Sequence, residues 1–188
     1  MLDLILLKLF GGVWTLKKRC LKSNSRFLIK LYNILLENRG CFIGYTAKLD
    51  GSLILPHGLN GIFISGASSI GKNCVIFHQV TIGSNTLVDS KGLGAPSIGN
   101  NCYIGAGAKI IGDVTVGNNV RVGANCVVFQ DIPDNSVVVA QPSKVIRKEN
   151  INNRYYTKGT SGWGFLQDGQ WVLEDDLEVI KTLTKGVI

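Results

Sequence analysis

The chain is 188 residues long, 45% hydrophobic and 18% charged, with a formal net charge of +7. That length fits one domain with short appendages, and the balance of apolar to charged residues excludes a disordered chain. The cationic excess comes with no recognised nucleic-acid fold and no interleaving of aromatic and basic residues. Nucleic acid is therefore not an expected partner, and a phosphorylated cofactor or an anionic glycan suits the charge as well.

Residues 1–40 come first, as a helical arm. Leu2, Leu6, Leu9 and Phe10, then Phe27, Leu28, Leu31, Ile34 and Leu35, follow amphipathic spacing, punctuated by Lys8, Lys17, Lys18, Arg19, Lys22, Arg26, Lys30 and Arg39. Two readings stay open: peripheral contact with an anionic membrane, or an arm packed on the body of the protein or a neighbouring subunit with its basic face in water. The apolar start is too short to span a bilayer and lacks a basic leader and a cleavage site, so no signal peptide is expected.

From residue 41 to 147 another rule takes over. Ile98, Ile104, Ile110, Val116, Val122 and Val128 recur every six residues; Ile64, Ile70, Ile76 and Ile82 keep the interval, and Ile43, Leu49 and Leu55 open it. Neither a helix nor a simple alternating strand has that period; a parallel β-helix does, with three hexads to each triangular coil and the apolar residue pointing inward. The next residue is often glycine, as at Gly71, Gly83, Gly99, Gly105, Gly117 and Gly123, which suits corners of positive φ or close backbone approach. Cys74, Cys102 and Cys126 take an inward position, where a thiol acts as a small hydrophobe. The five cysteines thus point to no disulfide framework but to a reducing cytoplasm, at the inner face of the membrane if the arm binds lipid.

The register breaks twice. Three residues are inserted after His57, and ten around 88–97, a polar Gly- and Pro-containing stretch expected to leave the column as an exposed loop. Insertions in solenoids commonly mark the binding face.

The chain has two histidines, and both take the third place of their hexads, one coil apart. His57 and His78 are expected on the same edge in adjacent rungs, about 4.8 Å apart. The same position continues as Ala106 and Ala124, outlining a groove above the imidazoles.

The segment Leu55-Pro-His-Gly-Leu-Asn-Gly-Ile-Phe-Ile64 resembles the histidine-bearing coil of serine acetyltransferases and of related O-acetyltransferases from polysaccharide gene clusters. The run from Ile98 to Gly112, Asp131-Ile-Pro-Asp-Asn-Ser, and Gln141-Pro-Ser-Lys-Val-Ile-Arg147 resemble their later coils and closing strand, so the likeness spans roughly residues 40–147. It implies an otherwise all-β chain wound as a left-handed helix, a homotrimer, and acetyl-CoA in a groove between columns. It further implies Ala106 and Ala124 along the pantetheine, with Lys144 and Arg147 toward the nucleotide phosphates; Phe129 and Gln130 replace the Thr and Lys of relatives. A guanidinium suits phosphate by its bidentate geometry.

Acetyl transfer to a hydroxyl needs a base, which assigns His57; His78 would orient the substrate or the acetyl carbonyl, and backbone N–H groups near Gly83 would hold the oxyanion. The bland alternatives are a polar loop histidine at 57 and a structural one at 78. The thioester is already activated, so no metal is expected. A zinc enzyme resembling γ-type carbonic anhydrases would need three histidines.

Three departures from the serine enzymes, Pro56 and Phe42 in place of aspartates and Ala95 in place of a histidine, favour a sugar hydroxyl of a capsular or cell-surface glycan over free serine. Serine, a small antibiotic or sugar, and a silent scaffold remain the rivals. Residues 148–188 leave the repeat; Tyr155, Tyr156, Trp163, Phe165 and Trp171 are expected to cap the column or stack on sugar, and Glu174–Glu178 to start a solvated helix.

Overall fold

In the computed structural model the described residues are 10–140, 147, 154, 156–167 and 169–185, and they fall into two compact units, 1–142 and 143–188. In the first unit every third strand stacks on the same side, giving three parallel sheets. The first holds β1 (Phe42–Ile43), β3 (Phe63–Ile64), β6 (Thr81–Gly83), β9 (Lys109–Ile111) and β12 (Val127–Val128). The second holds β2 (Lys48–Leu49), β4 (Ser69–Ile70), β7 (Ser97–Ile98) and β10 (Thr115–Val116). The third holds β5 (Val75–Ile76), β8 (Tyr103–Ile104), β11 (Arg121–Val122) and β13 (Val137–Val138).

Such short strands persist because each rung donates its backbone N–H groups to the next, while the inward residue is sealed from water. Ile43, Ile64, Ile70, Ile76, Ile82, Ile98, Ile104, Ile110, Val116, Val122 and Val128 are each 3% exposed or less. Burying one such side chain contributes about 1.5–3 kcal/mol. The three in-register thiols are buried among them, Cys74 donating to the Gly99 carbonyl and Cys102 to that of Gly117.

At the corners the two expected uses of glycine separate. Positive φ falls on Asn73, Asn101, Asn119, Asn125 and Asn135 and on Gln79, not on the glycines that follow the inward residue. Asparagine tolerates this region better than most side chains, and four of these asparagines form a ladder of amide bonds of 3.1–3.3 Å. The glycines answer to close approach instead: a Cβ on Gly99 would sit 2.8 Å from the Gly117 carbonyl oxygen, and one on Gly105 2.7 Å from the Ala124 nitrogen.

Two helices, α1 (Val13–Ser23) and α2 (Arg26–Glu37), close the lower end of the column, so an all-β description holds for the column alone. Leu16, Cys20, Tyr32, Leu35 and Leu36 are buried in one cluster with Cys41, Ile43 and Ala47. The Tyr32 hydroxyl donates to the Ile43 carbonyl at 2.9 Å and the Lys17 ammonium to that of Ala47 at 2.6 Å. Burial holds the Lys17 amine below its ordinary value. Packing on the body is therefore how the inner side of this arm is used. Among the described residues no helix is long and apolar enough to cross a membrane.

The loop leaves after β6 and is pinned at its base, where Asn85 and Gly94 exchange backbone bonds of 2.8 and 3.0 Å and Asp113 donates to the Gly92 carbonyl. Its tip exposes Leu87 and Val88.

The second unit contains an antiparallel sheet of β14 (Thr157–Gly159), β15 (Gly162–Gln167) and β16 (Gln170–Leu173), followed by α3 (Leu177–Lys185). Its aromatics partly serve one another: Phe165 is buried, edge-on to Tyr156 and beneath the Arg154 guanidinium. Asp176 caps α3 by accepting from the Glu178 and Val179 N–H groups. Tyr155 lies outside the described residues.

Candidate active site

Strand register carries the histidines to one corner. Ile54 bridges to Val75, Ile76 pairs with Ile104, Ile104 with Val122, and Val122 with Val138. Two residues beyond each inward position stand His78, Ala106 and Ala124, and the Gly107 and Asn125 N–H groups donate to the His78 and Ala106 carbonyls. In the lowest coil the backbone place below His78 is taken from the turn side by Asn60, whose carbonyl accepts from Gln79 N–H at 2.9 Å. The three extra residues therefore form a bulge, with Gly58 and Gly61 at positive φ and His57 at its start. The Asn60 amide donates to the His57 carbonyl at 3.0 Å and ties the bulge together.

His57 Nδ1 lies 2.7 Å from His78 Nδ1, with ring centroids 4.7 Å apart. Two imidazole nitrogens at that distance hold one proton between them, because one must donate and the other accept. Each ring thereby presents its Nε2 away from the partner. When His57 carries the shared proton, its Nε2 is a free base and His78 keeps its own proton on Nε2. Phe77 stands edge-on to His57 at 5.2 Å, and Tyr103 packs on Phe77 at 5.0 Å, walling one side of the pair.

Just above the histidines the corner loses bulk. The positions ahead of His57 and His78 are Pro56 and Phe77, whereas those ahead of Ala106 and Ala124 are Gly105 and Gly123. Sequence inspection marked the alanines but not this step from Phe77 to Gly105; it could be found by lining up the preceding residues coil by coil. Also missed was Lys109, whose ammonium donates to the Gln79 carbonyl at 2.7 Å and to the Thr81 hydroxyl at 3.1 Å. It fixes a cation beside the turn that carries His78.

Gly83 ends β6, five residues beyond His78, and its carbonyl accepts from the Gly112 N–H; a Cβ there would lie 3.0 Å from Ile111 Cδ1. Arg147 is exposed and belongs to the second unit, and Lys144 lies outside the described residues. No group of three or more His, Cys, Asp or Glu side chains that could hold a metal ion occurs among the described residues. A cavity of about 450 Å³ lies elsewhere, between α1 and β2, with Trp14, Lys17 and Lys48 in its wall.

Residues 95–130 match the model for the bacterial transferase hexapeptide (six repeats). A serine acetyltransferase of Staphylococcus aureus is 32% identical over 148 residues, 79% of this chain and 63% of the relative. One from Helicobacter pylori is 39% identical over 103 residues, 55% of this chain and 58% of that one. The chain thus spans less than two thirds of the length of these relatives. Among solved structures, Neisseria gonorrhoeae serine acetyltransferase in complex with serine superposes with a TM-score of 0.60 at 30% identity, covering 71% of this chain and 53% of that one. Isoform 3 from Entamoeba histolytica, in complex with cysteine, gives 0.61 at 27%, covering 72% and 50%. In repeat, sequence and fold, this chain is a hexapeptide-repeat protein similar to the serine acetyltransferases.

Proposed function

We propose that the chain is an acetyl-CoA-dependent O-acetyltransferase wound as a left-handed β-helix, with His57 as general base. The observation that carries this reading is the Nδ1–Nδ1 contact of 2.7 Å, which leaves a basic Nε2 on His57 at the mouth of a groove. The acceptor hydroxyl gives its proton to that Nε2 as its oxygen bonds to the thioester carbon; the carbon–sulfur bond then breaks and the thiolate takes a proton from the pair. His78 holds the imidazole in the productive tautomer, the part a carboxylate plays in other His-dependent sites. Acetyl-CoA supplies the activated acetyl group. Ala106 and Ala124 give its pantetheine a path with little side-chain obstruction, and Lys144 and Arg147 are the cations for its phosphates. Lys109 and the backbone N–H groups near Gly83 are the candidates to meet the oxyanion.

A homotrimer is part of the same reading. The first and third sheets, which meet at the histidine corner, expose Phe63, Val127, Tyr103 and Val137, while the second presents Lys48, Ser69, Ser97 and Thr115. Apolar faces on both sides of the groove suit neighbouring columns. The cytoplasm, where acetyl-CoA is made, is the proposed location.

For the acceptor, free serine is favoured by the relatives. A glycan hydroxyl is the second reading, favoured by Phe42, Pro56 and Ala95, which leave a carboxylate and an ammonium fewer charged partners. The test follows thiol release from acetyl-CoA with serine beside capsular oligosaccharides. Turnover of serine establishes the first reading and turnover of oligosaccharide alone the second; no thiol release with any hydroxyl acceptor overturns both.

A further inference from the structure

The net charge is not spread over the molecule. Residues 1–40 hold eight Lys and Arg against Asp3 and Glu37, whereas residues 41–142 hold five basic and five acidic residues and 143–188 seven and six. The arm therefore carries +6 of the total +7. Its inner side is spent on the column, as Leu16, Cys20, Tyr32, Leu35 and Leu36 show. Its outer side leaves Lys18, Arg19, Lys22, Arg26 and Lys30 in water.

That outer side is not purely polar. Phe27 is 73% exposed and Ile34 43%. Phe27, Lys30 and Ile34 follow the i, i+3, i+7 spacing and so form one stripe of α2. A shallow groove of about 380 Å³ lies on the same side, lined by Arg26, Ile29, Lys30, Asn33, Ile34 and, at its far end, the one acid of this helix, Glu37. Bare aromatic and aliphatic side chains among five exposed cations match one kind of surface, an anionic leaflet. There the cations meet headgroup phosphates and the apolar groups enter the acyl boundary.

A polyanion such as nucleic acid would leave Phe27 and Ile34 without a partner. A second copy of the chain would have to bring a complementary acidic patch. The acidic run of the second unit is largely engaged within that unit, Glu174 with Tyr156 and Arg154, Asp176 in capping α3 and Glu178 with Lys181, and in the column Asp131 and Asp134 accept backbone bonds from Thr115 and Asn118.

We propose that the outer face of α1 and α2, centred on Arg26, Phe27, Lys30 and Ile34, docks the protein on anionic phospholipid. The inference goes beyond the catalytic reading and does not depend on it. Full-length protein is sedimented with vesicles of equal parts phosphatidylglycerol and phosphatidylcholine, and with phosphatidylcholine vesicles for reference. The protein is expected to pellet with the anionic vesicles only, and to be released in part by salt. Arg26→Glu with Lys30→Glu lowers the partition coefficient at least about tenfold. Phe27→Ser with Ile34→Ser weakens the binding that survives high salt. All four side chains point to solvent, so the thermal midpoint of each variant should stay with the parent and certify its fold. Equal pelleting with both vesicle types, no pelleting, indifference to the charge reversals, or equally tight binding of duplex DNA unaffected by the Phe27 and Ile34 changes would each overturn the proposal.

Discussion

The lower and upper rungs of one corner share a backbone and differ in what it carries. Below, Pro56-His57 and Phe77-His78 bring two imidazoles into contact with the Phe77 ring edge-on beside them. Above, Gly105-Ala106 and Gly123-Ala124 repeat the same hydrogen-bonded turn with almost no side chain. The inward residues are the same kind throughout, so the core does not distinguish the two halves. On the proposed reading, chemistry and access are separated along one edge: proton handling below, the cofactor's track above. Repetition makes this cheap, because an outward residue can change without disturbing the stacked core.

The comparison breaks first at His57. His57→Ala removes the base and should lower kcat by about two to four orders of magnitude with the fold intact. Retained turnover, with the acceptor that proves active, would return the residue to an ordinary loop histidine. His78 should matter less and in a diagnostic way. His78→Ala frees His57 to take the wrong tautomer and should cost about ten- to hundredfold in kcat with KM nearly unchanged. His78→Gln, whose amide oxygen can accept from His57 Nδ1–H, should recover part of that loss. If Gln and Ala behave alike, His78 does not work through His57.

Next comes the upper half. Ala124→Phe places a ring on the bare track and should raise the KM for acetyl-CoA about ten- to hundredfold. Its effect on kcat should be small and its thermal midpoint unchanged, since Ala124 is exposed. An unaltered KM would move the cofactor path away from this edge.

Much of this was legible in the residues because a period of six, held over many units, is a register as well as a fold signal. Once Ile76, Ile104 and Val122 are aligned, the vertical order His78, Ala106, Ala124 follows by counting. What counting could not supply depends on side-chain reach or on local conformation. Lys109 lies thirty residues beyond Gln79 in the sequence, but its long chain returns to the Gln79 carbonyl. The bulge at 57–60 puts His57 in ring contact with His78 while lending the backbone position to Asn60. The inner and outer sides of the arm became separable only when the hairpin closed the column. The choice of positive-φ residue was also opaque, since the column divides those turns between glycine (Gly58, Gly61, Gly94, Gly107 and Gly112) and asparagine (Asn73, Asn101, Asn119, Asn125 and Asn135).

That last point gives the smallest and most local test of the two halves. At one turn position the chain uses Gln79, Gly107 and Asn125 in successive coils, at φ of 60°, 70° and 56°. A left-handed conformation costs an ordinary L-residue about 1–2 kcal/mol, and asparagine and glycine carry less of that cost. Gln79 is the ill-suited one, and it is the one beside the histidines. Gln79→Gly relieves the strain but adds up to about 1 kcal/mol of unfolded-chain entropy. The net expectation is a gain in stability below about 1 kcal/mol, read as a higher denaturant midpoint. Asn125→Gln moves the same mismatch to the upper rung and should lose a similar amount. Since Lys109 is held by the Gln79 carbonyl and not its side chain, Gln79→Gly should leave kcat within about twofold. A large fall in kcat with unchanged stability would instead mean that the Gln79 amide itself meets the substrate.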